Sequence, residues 1–292
     1  ADEDLKEDVE RAVNEEARRR EYVARGVDIE SVRKVLGSHL PFAALDRKKE
    51  VGEESVSLAD KIRQWAPVGF VYLLWIAIFT IAQMLLNNTI EEKSNRIIEV
   101  LLSSVTPGEL MMGKLGGIAA VGLTMIGAWI VSLVGILTLK AGQEAEIARE
   151  LLKVLKSSGL LSSFVVYFVL GYLLYAGVFL AIGSLCNTLK EAQNMMGPIM
   201  VIMIVPLMTM MFIPKEPNGT LATVLSWIPP YTPFVMMNRA AADPPMLDRV
   251  GTLVLLVATT ITVLWLSGRI FRIGILRTGQ PPKFMELVRW VK

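Results

Sequence analysis

The sequence predicts an all-α membrane protein with about five transmembrane helices, preceded by the C-terminal remnant of an extracytoplasmic domain. Of its 292 residues, 53% are hydrophobic and only 20% are charged, a composition typical of membrane proteins rather than of soluble domains. The charged residues are concentrated in residues 1–65, and most of the remaining chain consists of long uncharged runs. About twenty apolar residues in a helix span a bilayer core, and several of these runs are that long.

The apolar runs predict spans over about 66–88, 111–139, 160–186, 194–213 and 250–273. Between the last two lies a proline-rich segment, residues 214–245, which holds seven of the 14 prolines. Proline at this density does not form a regular spanning helix. We therefore expect short helices or a re-entrant turn at the outer membrane surface.

We divide the chain into two domains at residue 65. Residues 1–65 are expected to form a charged helix followed by extended or loop structure, as part of an extracytoplasmic domain, and residues 66–292 to form the transmembrane domain. Arginines and lysines in the tail over 274–292 favour a cytoplasmic C-terminus by the positive-inside rule. With five spans, residues 1–65 then lie outside.

Residues suited to enzyme chemistry are scarce. Cys186 is the single cysteine and His39 the single histidine, which excludes an internal disulfide and a Cys- or His-based metal centre. No predicted span has a charged residue in its middle, whereas ion-coupled transporters and proton pumps normally retain one there. We expect no catalytic site, no bound cofactor or metal and no nucleic-acid partner, and an intramembrane enzyme is poorly supported.

Charge and amphipathic character coincide between the first two spans, in "TIEEKSNRIIEVLLSSVTPGELMMGK". Thr89 and Glu92 have the spacing of a capping box, and apolar residues recur at helical spacing as far as Val105. The pattern predicts an amphipathic cytoplasmic helix over about 90–104, with its carboxylates facing away from the membrane. Two interpretations remain open: a docking surface for another protein, or a solvated connector that anchors itself to lipid.

The residues "TPGELMMGKL" contain the phosphate-loop string G-x-x-x-x-G-K, but Leu115 stands where Ser or Thr would bind magnesium. Thr106 and Glu109 form a second capping box, with Pro107 at the first helical position. Backbone N–H groups that are committed to a helix cannot curl around a phosphate. The string therefore predicts a helix start without a nucleotide site, and Lys114 is expected to reach the lipid head groups as an interfacial anchor.

Small and mildly polar residues are the remaining features of the spans. Gly113 and Gly117 form a G-x-x-x-G pair, which predicts close helix packing. The third span predicts the same, since it is punctuated by Gly171, Gly177 and Gly183. Four polar side chains are candidates for a substrate path, although hydrogen-bonded packing explains them equally well: Gln83, Asn87, Thr124 and Asn194.

Four stretches resemble the type-2 ABC transporter permeases, in particular those of the sodium-efflux NatB kind. "EEKSNRIIEVLLSSVTPGELMMGKLGG" is similar to the signature of that family. "YLLYAGVFLAIGSLCNTLKEAQNMMGPIM" resembles its third span and the short inner loop that follows. "IPPYTPFVMMNRAA" resembles its outer proline-rich segment, and "RIFRIGILRTGQPPKFMELVRWVK" its C-terminal tail. In the same order as in the family, they cover most of residues 60–292.

The resemblance implies a permease subunit of an ABC exporter in the cell membrane of a prokaryote. Such a subunit pairs with a separate ABC ATPase subunit, which holds the ATP and magnesium, and with a second permease subunit, so that it is not itself an enzyme. In this family the glutamate-rich loop helix meets the ATPase. The coupling role then falls on the matching positions: Glu91, Glu92, Lys93, Arg96, Glu99, Val100 and Leu101.

The chain departs from the family's usual pattern at its start. The family has a further transmembrane helix ahead of a large extracytoplasmic domain, so we expect this sequence to be the C-terminal portion of a permease. The resemblance does not carry over a substrate, because the spans show no sodium-ligand cluster. An alternative is a non-transporting membrane scaffold or sensor whose extracytoplasmic head binds a ligand. An ABC ATPase encoded in a neighbouring reading frame would favour the permease.

Overall fold

The structure is a computed structural model that describes residues 58–140, 151–152 and 159–276. The expected extracytoplasmic segment therefore lies outside the described residues except for residues 58–65, and the expected cytoplasmic tail lies outside them beyond residue 276. Residues 58–65 are helical rather than extended, and they open the first long helix.

The described chain is built from α-helices. They are α1 (Leu58–Ser94), α2 (Ile97–Leu101), α3 (Pro107–Lys140), α4 (Leu160–Leu185), α5 (Leu189–Thr209), α6 (Thr220–Ser226), α7 (Thr232–Arg239) and α8 (Met246–Gly274). Five of them, α1, α3, α4, α5 and α8, are long and apolar enough to cross a membrane. The described residues contain no strand. The predicted all-α membrane fold with five spans is thus confirmed.

Several helices begin earlier than the apolar runs indicated, because polar residues at the helix ends are not counted in an apolar run. α5 begins at Leu189 rather than near residue 194, and it ends at Thr209. Its first turn is capped from both directions. The N–H of Glu191 donates to the Thr188 hydroxyl at 3.3 Å, and the Glu191 carboxylate accepts from the N–H of Asn187 at 2.8 Å.

α4 is the most buried of the five long helices, and it packs against both α1 and α8. Its glycines permit this close approach. A methyl group on Gly177 would lie 3.1 Å from Leu264 of α8, and one on Gly183 would lie 3.3 Å from the carbonyl oxygen of Leu86 in α1. Gly171 is in similarly close contact with α1 and α7. The close packing predicted for these three glycines is confirmed.

α3, in contrast, is the most exposed of the long helices. Apart from the nearby backbone of α3 itself, no described atom lies within 4 Å of a methyl group built on Gly113 or Gly117. The packing predicted from their G-x-x-x-G spacing is therefore not made within the described chain. Large apolar side chains such as Val131 and Leu139 are exposed along the same helix.

The proline-rich segment folds back onto the bundle as the short helices α6 and α7. Every residue of α7 is buried, and this helix packs against α1 and α4. The Tyr175 hydroxyl of α4 donates to the carbonyl of Pro230 at 2.8 Å. A side chain of the central helix α4 thus fixes the turn between the two short helices.

Candidate functional site

The loop between α1 and α3 is the candidate functional site. α1 ends at Ser94, and α2 adds only five residues before turns lead into α3. Between the two helices Arg96 has φ 57° and ψ 15°, the left-handed conformation that residues other than glycine adopt at a cost. This residue separates the end of α1 from the start of α2.

The prediction of a single amphipathic helix over 90–104 is therefore wrong. Its first residues belong to α1, and a separate short helix, α2, follows after the break at Arg96. Thr89 does not cap a new helix. It is buried within α1, and its hydroxyl donates to the Leu85 carbonyl one turn earlier at 2.7 Å. Threonine makes this backward bond when a helix already runs through it, so the capping-box spacing to Glu92 is coincidental. α1 consequently extends to Ser94 rather than to about residue 88.

The second predicted capping box is confirmed at the start of α3. The N–H of Thr106 donates to the Glu109 carboxylate at 2.8 Å, and the N–H of Glu109 donates to the Thr106 hydroxyl at 3.3 Å. Helix α3 then includes the whole G-x-x-x-x-G-K string. The backbone there is helical and forms no loop that cradles a phosphate.

Glu92 and Lys114 connect the end of α1 to the first turns of α3. Lys114 Nζ lies 2.6 Å from Glu92 Oε2 and forms an ion pair with it. The Lys114 side chain is only 10% exposed. Lys114 is thus paired within the protein, since a nearby carboxylate stabilises the ammonium, and the predicted anchor in the lipid head groups is wrong. Glu92 likewise does not face away from the bundle.

Lys93 is turned into the protein. Its ammonium donates to the carbonyl of Ser184 at 2.6 Å and to that of Gly274 at 2.8 Å. These two residues lie in the last turns of α4 and α8, where carbonyls lack intrahelical partners and attract cations. Among the residues to which the resemblance assigns coupling, Lys93 thus contacts the transmembrane helices.

The other loop residues form an exposed surface of mixed character. Val100 is 70% exposed and Ile97 is 45% exposed, whereas Ile98 between them is 2% exposed and holds α2 against the core. We call the exposed set the loop surface; it consists of Glu91, Arg96, Ile97, Glu99, Val100 and Leu101. Apolar side chains that stay exposed on an anchored loop are typical of a contact with another molecule.

Cys186 lies beside this region, between α4 and α5. It is buried, and its thiol is 3.6 Å from Met195 Sδ. Burial raises the pKa of the Cys186 thiol to about 11, the Glu191 carboxylate adds to the rise, and the Lys93 ammonium opposes it. The thiol is therefore protonated at neutral pH and is shielded from reagents.

We predict that N-ethylmaleimide alkylates Cys186 about a hundredfold more slowly at neutral pH than an exposed peptide thiol, because only the thiolate reacts. The rate should still rise about tenfold per pH unit beyond the pKa of an ordinary thiol, because the Cys186 pKa is raised. Timed alkylation followed by mass spectrometry of the Cys186 peptide measures both quantities. A rate that levels off at the pH where a free thiol levels off would contradict the prediction.

Two of the four predicted substrate-path residues contact each other. The Gln83 amide donates to the side-chain oxygen of Asn87 at 3.3 Å, one turn further along α1. Thr124 is exposed on α3, where its hydroxyl donates to a backbone carbonyl of its own helix at 2.8 Å. Asn194 is exposed on α5. Both of these side chains face the surroundings of the described chain, and a substrate role for any of the four stays a prediction.

At the opposite end of the bundle lies a buried polar cluster that the sequence analysis missed. Arg239 is fully buried at the end of α7, and its guanidinium lies 2.7 Å from the Asp248 carboxylate in the first turn of α8. It also donates to Ser226 Oγ at 2.9 Å and to Asn218 Oδ1 at 3.2 Å. The Trp227 indole donates to the second carboxylate oxygen at 3.3 Å. Arg239 and Asp248, opposite charges nine residues apart along the chain, are the signal in the sequence that could have revealed it.

Residues 58–140 and 159–276 bring together no set of three or more His, Cys, Asp or Glu side chains that suits a metal ion. Loop carboxylates Glu92 and Glu109 are instead engaged with Lys114 and Thr106.

Comparison with known proteins extends beyond the described residues. A family model described as ABC-2 family transporter protein matches residues 24–269. The chain is 35% identical over 217 residues to the uncharacterized protein MJ1024 of Methanocaldococcus jannaschii, covering 74% of this chain and 51% of that protein. It is 29% identical over 229 residues to the uncharacterized protein YhaP of Bacillus subtilis, covering 75% and 54% respectively. The chain thus spans about half the length of these curated relatives. No solved structure matches it significantly.

Proposed function

Because the chain belongs to the ABC-2 family of transporter proteins, we propose that it is the membrane-spanning permease subunit of an exporter driven by a separate ABC ATPase. ATP and magnesium are then bound by the partner, and this chain is not itself an enzyme. The observation that carries the proposal is the loop surface. It is held in place by the buried Ile98 and by the Glu92–Lys114 pair, yet the side chains of Val100 and Glu99 are exposed on the surface of the molecule.

The uncharged spans support an external source of energy. A carrier that is driven by protons or ions retains ionisable groups within the membrane. In the described spans, charged residues occur only near the helix ends. Energy then enters through the loop, where α1 and α3 meet, rather than through a relay inside the bilayer.

The proposal sets an orientation in the cell membrane of a prokaryote. The loop lies in the cytoplasm, where the ATPase is, and residues 1–65 lie outside. Arg269 and Arg272, near the end of α8, support this assignment because basic residues favour the cytoplasmic side. The four similar stretches favour the NatB-like branch, without naming the substrate.

We further propose that a second permease subunit completes the export path. The exposed face of α3, with its open positions at Gly113 and Gly117, supports a contact with another helix. Thr124 is exposed on the same helix. In this arrangement Gln83 and Asn87 contribute to the path from α1, and Thr124 and Asn194 contribute only where the two subunits meet.

A pull-down experiment tests the proposed function. We predict that Val100→Asp, and separately the double replacement Glu91→Lys/Glu99→Lys, weaken binding of the co-expressed ABC ATPase at least about tenfold, because the side chains at the centre of an interface carry most of its affinity. All three side chains are exposed, so the permease itself should stay folded and inserted. Copurification from membranes and the ATPase activity of the complex are the measurements.

Glu216→Lys is the matched control, since Glu216 is exposed in the proline-rich segment at the opposite end of the bundle. It should copurify the ATPase as the unaltered protein does. Normal copurification by both loop variants would contradict the coupling role of the loop surface. If the unaltered chain captures no ABC ATPase from its native membranes, the scaffold or sensor becomes the better reading.

A further inference from the structure

Three helices of the bundle end at one point, and the side chain of Lys93 lies between them. Lys93 is in the last turn of α1, Ser184 in the last turn of α4, and Gly274 is the final residue of α8. The ammonium lies 2.6 Å and 2.8 Å from the Ser184 and Gly274 carbonyl oxygens. One charged side chain thus ties together residues that are 91 and 181 positions away along the chain.

The two carbonyls are well suited to hold an ammonium. Each lies at a helix C-terminus, which carries a partial negative charge, and a hydrogen bond from a charged donor is stronger than one between neutral groups. The backbones approach closely enough to share one ammonium because residue 274 is glycine. A methyl group there would lie 2.8 Å from Ser184 Oγ and 3.2 Å from the Ser184 carbonyl oxygen.

The same side chain is connected directly to the loop surface. Arg96, three residues further along, holds the left-handed conformation that turns the chain out of α1. The intervening residues 94 and 95 are exposed. Only these two residues, neither of them buried, lie between Lys93 and the turn at Arg96. Lys93 on one side of the Arg96 turn and the buried Ile98 on the other are therefore the nearest contacts of this turn with the bundle.

We propose that Lys93 is a positioning residue that transmits movement of the loop to the ends of α4 and α8, releasing the Ser184 and Gly274 carbonyls when the loop moves. The source of the movement rests on the proposed function, since an ATPase bound at the loop surface supplies it. The alternative is that Lys93 only caps the ends of α4 and α8. Its contacts would then stay the same whether or not nucleotide is bound.

Cys186 provides the means to separate these two cases. It follows Ser184 by two residues, it is the single cysteine of the 292 residues, and it is buried beneath the α4 end. Removing the Lys93 charge takes away the influence that lowers the pKa of this thiol. Electrostatics alone would therefore slow alkylation of Cys186 in a Lys93 variant, and only exposure of the thiol can accelerate it.

The experiment follows alkylation of Cys186 by N-ethylmaleimide in the full-length protein, reconstituted with its ATPase in lipid vesicles. Rates are read by mass spectrometry of the Cys186 peptide without nucleotide and after trapping with MgATP and vanadate. We expect slow alkylation without nucleotide and about tenfold faster alkylation in the trapped state. Lys93→Met should be alkylated about tenfold faster without nucleotide, because contacts of a charged donor are lost, and should respond little to trapping. Lys93→Arg should restore part of the response.

Lys190→Met is the matched control, since Lys190 is an exposed lysine at the same end of the bundle and its loss should leave both rates unchanged. Equal rates with and without nucleotide in the unaltered complex would overturn the proposal, and this comparison stands even if a Lys93 variant fails to fold. Slow alkylation of a folded Lys93→Met protein would overturn it as well. Copurification of the ATPase is scored in the same samples, so a loop that binds no ATPase is distinguished from a lysine that transmits nothing.

Discussion

Replacing Arg239 by methionine is expected to lower the free energy of unfolding by about 3–5 kcal/mol, the range found when one partner of a buried ion pair is removed. The guanidinium is fully buried and lies 2.7 Å from the Asp248 carboxylate. It also satisfies Ser226 and Asn218 through bonds of 2.9 Å and 3.2 Å. Methionine fills most of the volume of the side chain but leaves a buried carboxylate whose remaining side-chain hydrogen bond among the described residues is that from the Trp227 indole. Thermal unfolding of the full-length protein in detergent measures the loss.

The structure contains its own control for this effect. Arg249 pairs with Asp243 at the same distance of 2.7 Å, but the two side chains are 52% and 95% exposed. Arg249→Met should therefore cost less than about 1 kcal/mol, as exposed pairs do. The double replacement Arg239→Met/Asp248→Leu should recover much of the stability, because it leaves no unpaired charge. Equal costs for Arg239→Met and Arg249→Met would refute a structural role for the buried cluster.

The architecture could be predicted from the sequence because its determinants are local. A span needs only a sufficient length of apolar residues, and all five long helices meet that requirement. The start of α3 could also be predicted, since Thr106 and Glu109 form reciprocal capping hydrogen bonds within one turn. For the same reason the sequence alone identifies the near-match to a phosphate loop as the start of a helix.

The end of α1 could not be predicted in this way. Thr89 and Glu92 have the same spacing as Thr106 and Glu109, yet only the second pair caps a helix. The difference lies in packing between helices: Thr89 and Ile90 are buried in the core, which holds this stretch in α1. Burial of this kind depends on residues far along the chain, and no local pattern records it.

Charged residues near the membrane ends were the least predictable part. Lys93 lies in a run of charges and is among the loop residues to which the resemblance assigns coupling, but its partners are the carbonyls of Ser184 and Gly274. Backbone carbonyls leave no trace in a sequence, so an interior role of this kind is invisible to motif analysis. The buried Arg239 escaped notice for a related reason, since its carboxylate partner belongs to the following helix.

These contacts divide the bundle into two ends with different properties. The Arg239 cluster ties the proline-rich segment to the start of α8 through several side-chain bonds. At the other end, the ammonium of Lys93 joins α1 to the ends of α4 and α8 through two hydrogen bonds. A movement that begins at the loop would therefore alter the second end more readily than the first.

Between the two ends, α4 and α8 are in close contact at Gly177. Replacing this glycine by a larger residue is expected to have the second large effect on stability. Gly177→Leu should lower the free energy of unfolding by about 2 kcal/mol or more, because overpacking a filled site displaces its neighbours. A single added methyl group would already lie 3.1 Å from Leu264, 3.3 Å from Val263 and 3.4 Å from Ser267. Leucine adds three further carbons in the same direction, so α8 must move away from α4.

Gly117→Leu makes the same chemical change at an open position, where no described atom outside the nearby backbone of α3 lies within 4 Å of an added methyl group. Within one subunit it should be neutral or stabilise α3 slightly, since leucine favours helix over glycine by up to about 1 kcal/mol. Thermal unfolding in detergent compares the two variants, and size-exclusion chromatography reports assembly separately. If Gly117→Leu leaves folding intact but disrupts a dimer, the exposed face of α3 is a subunit interface. If Gly177→Leu is as stable as the unaltered protein, the close α4–α8 approach does not hold the bundle together.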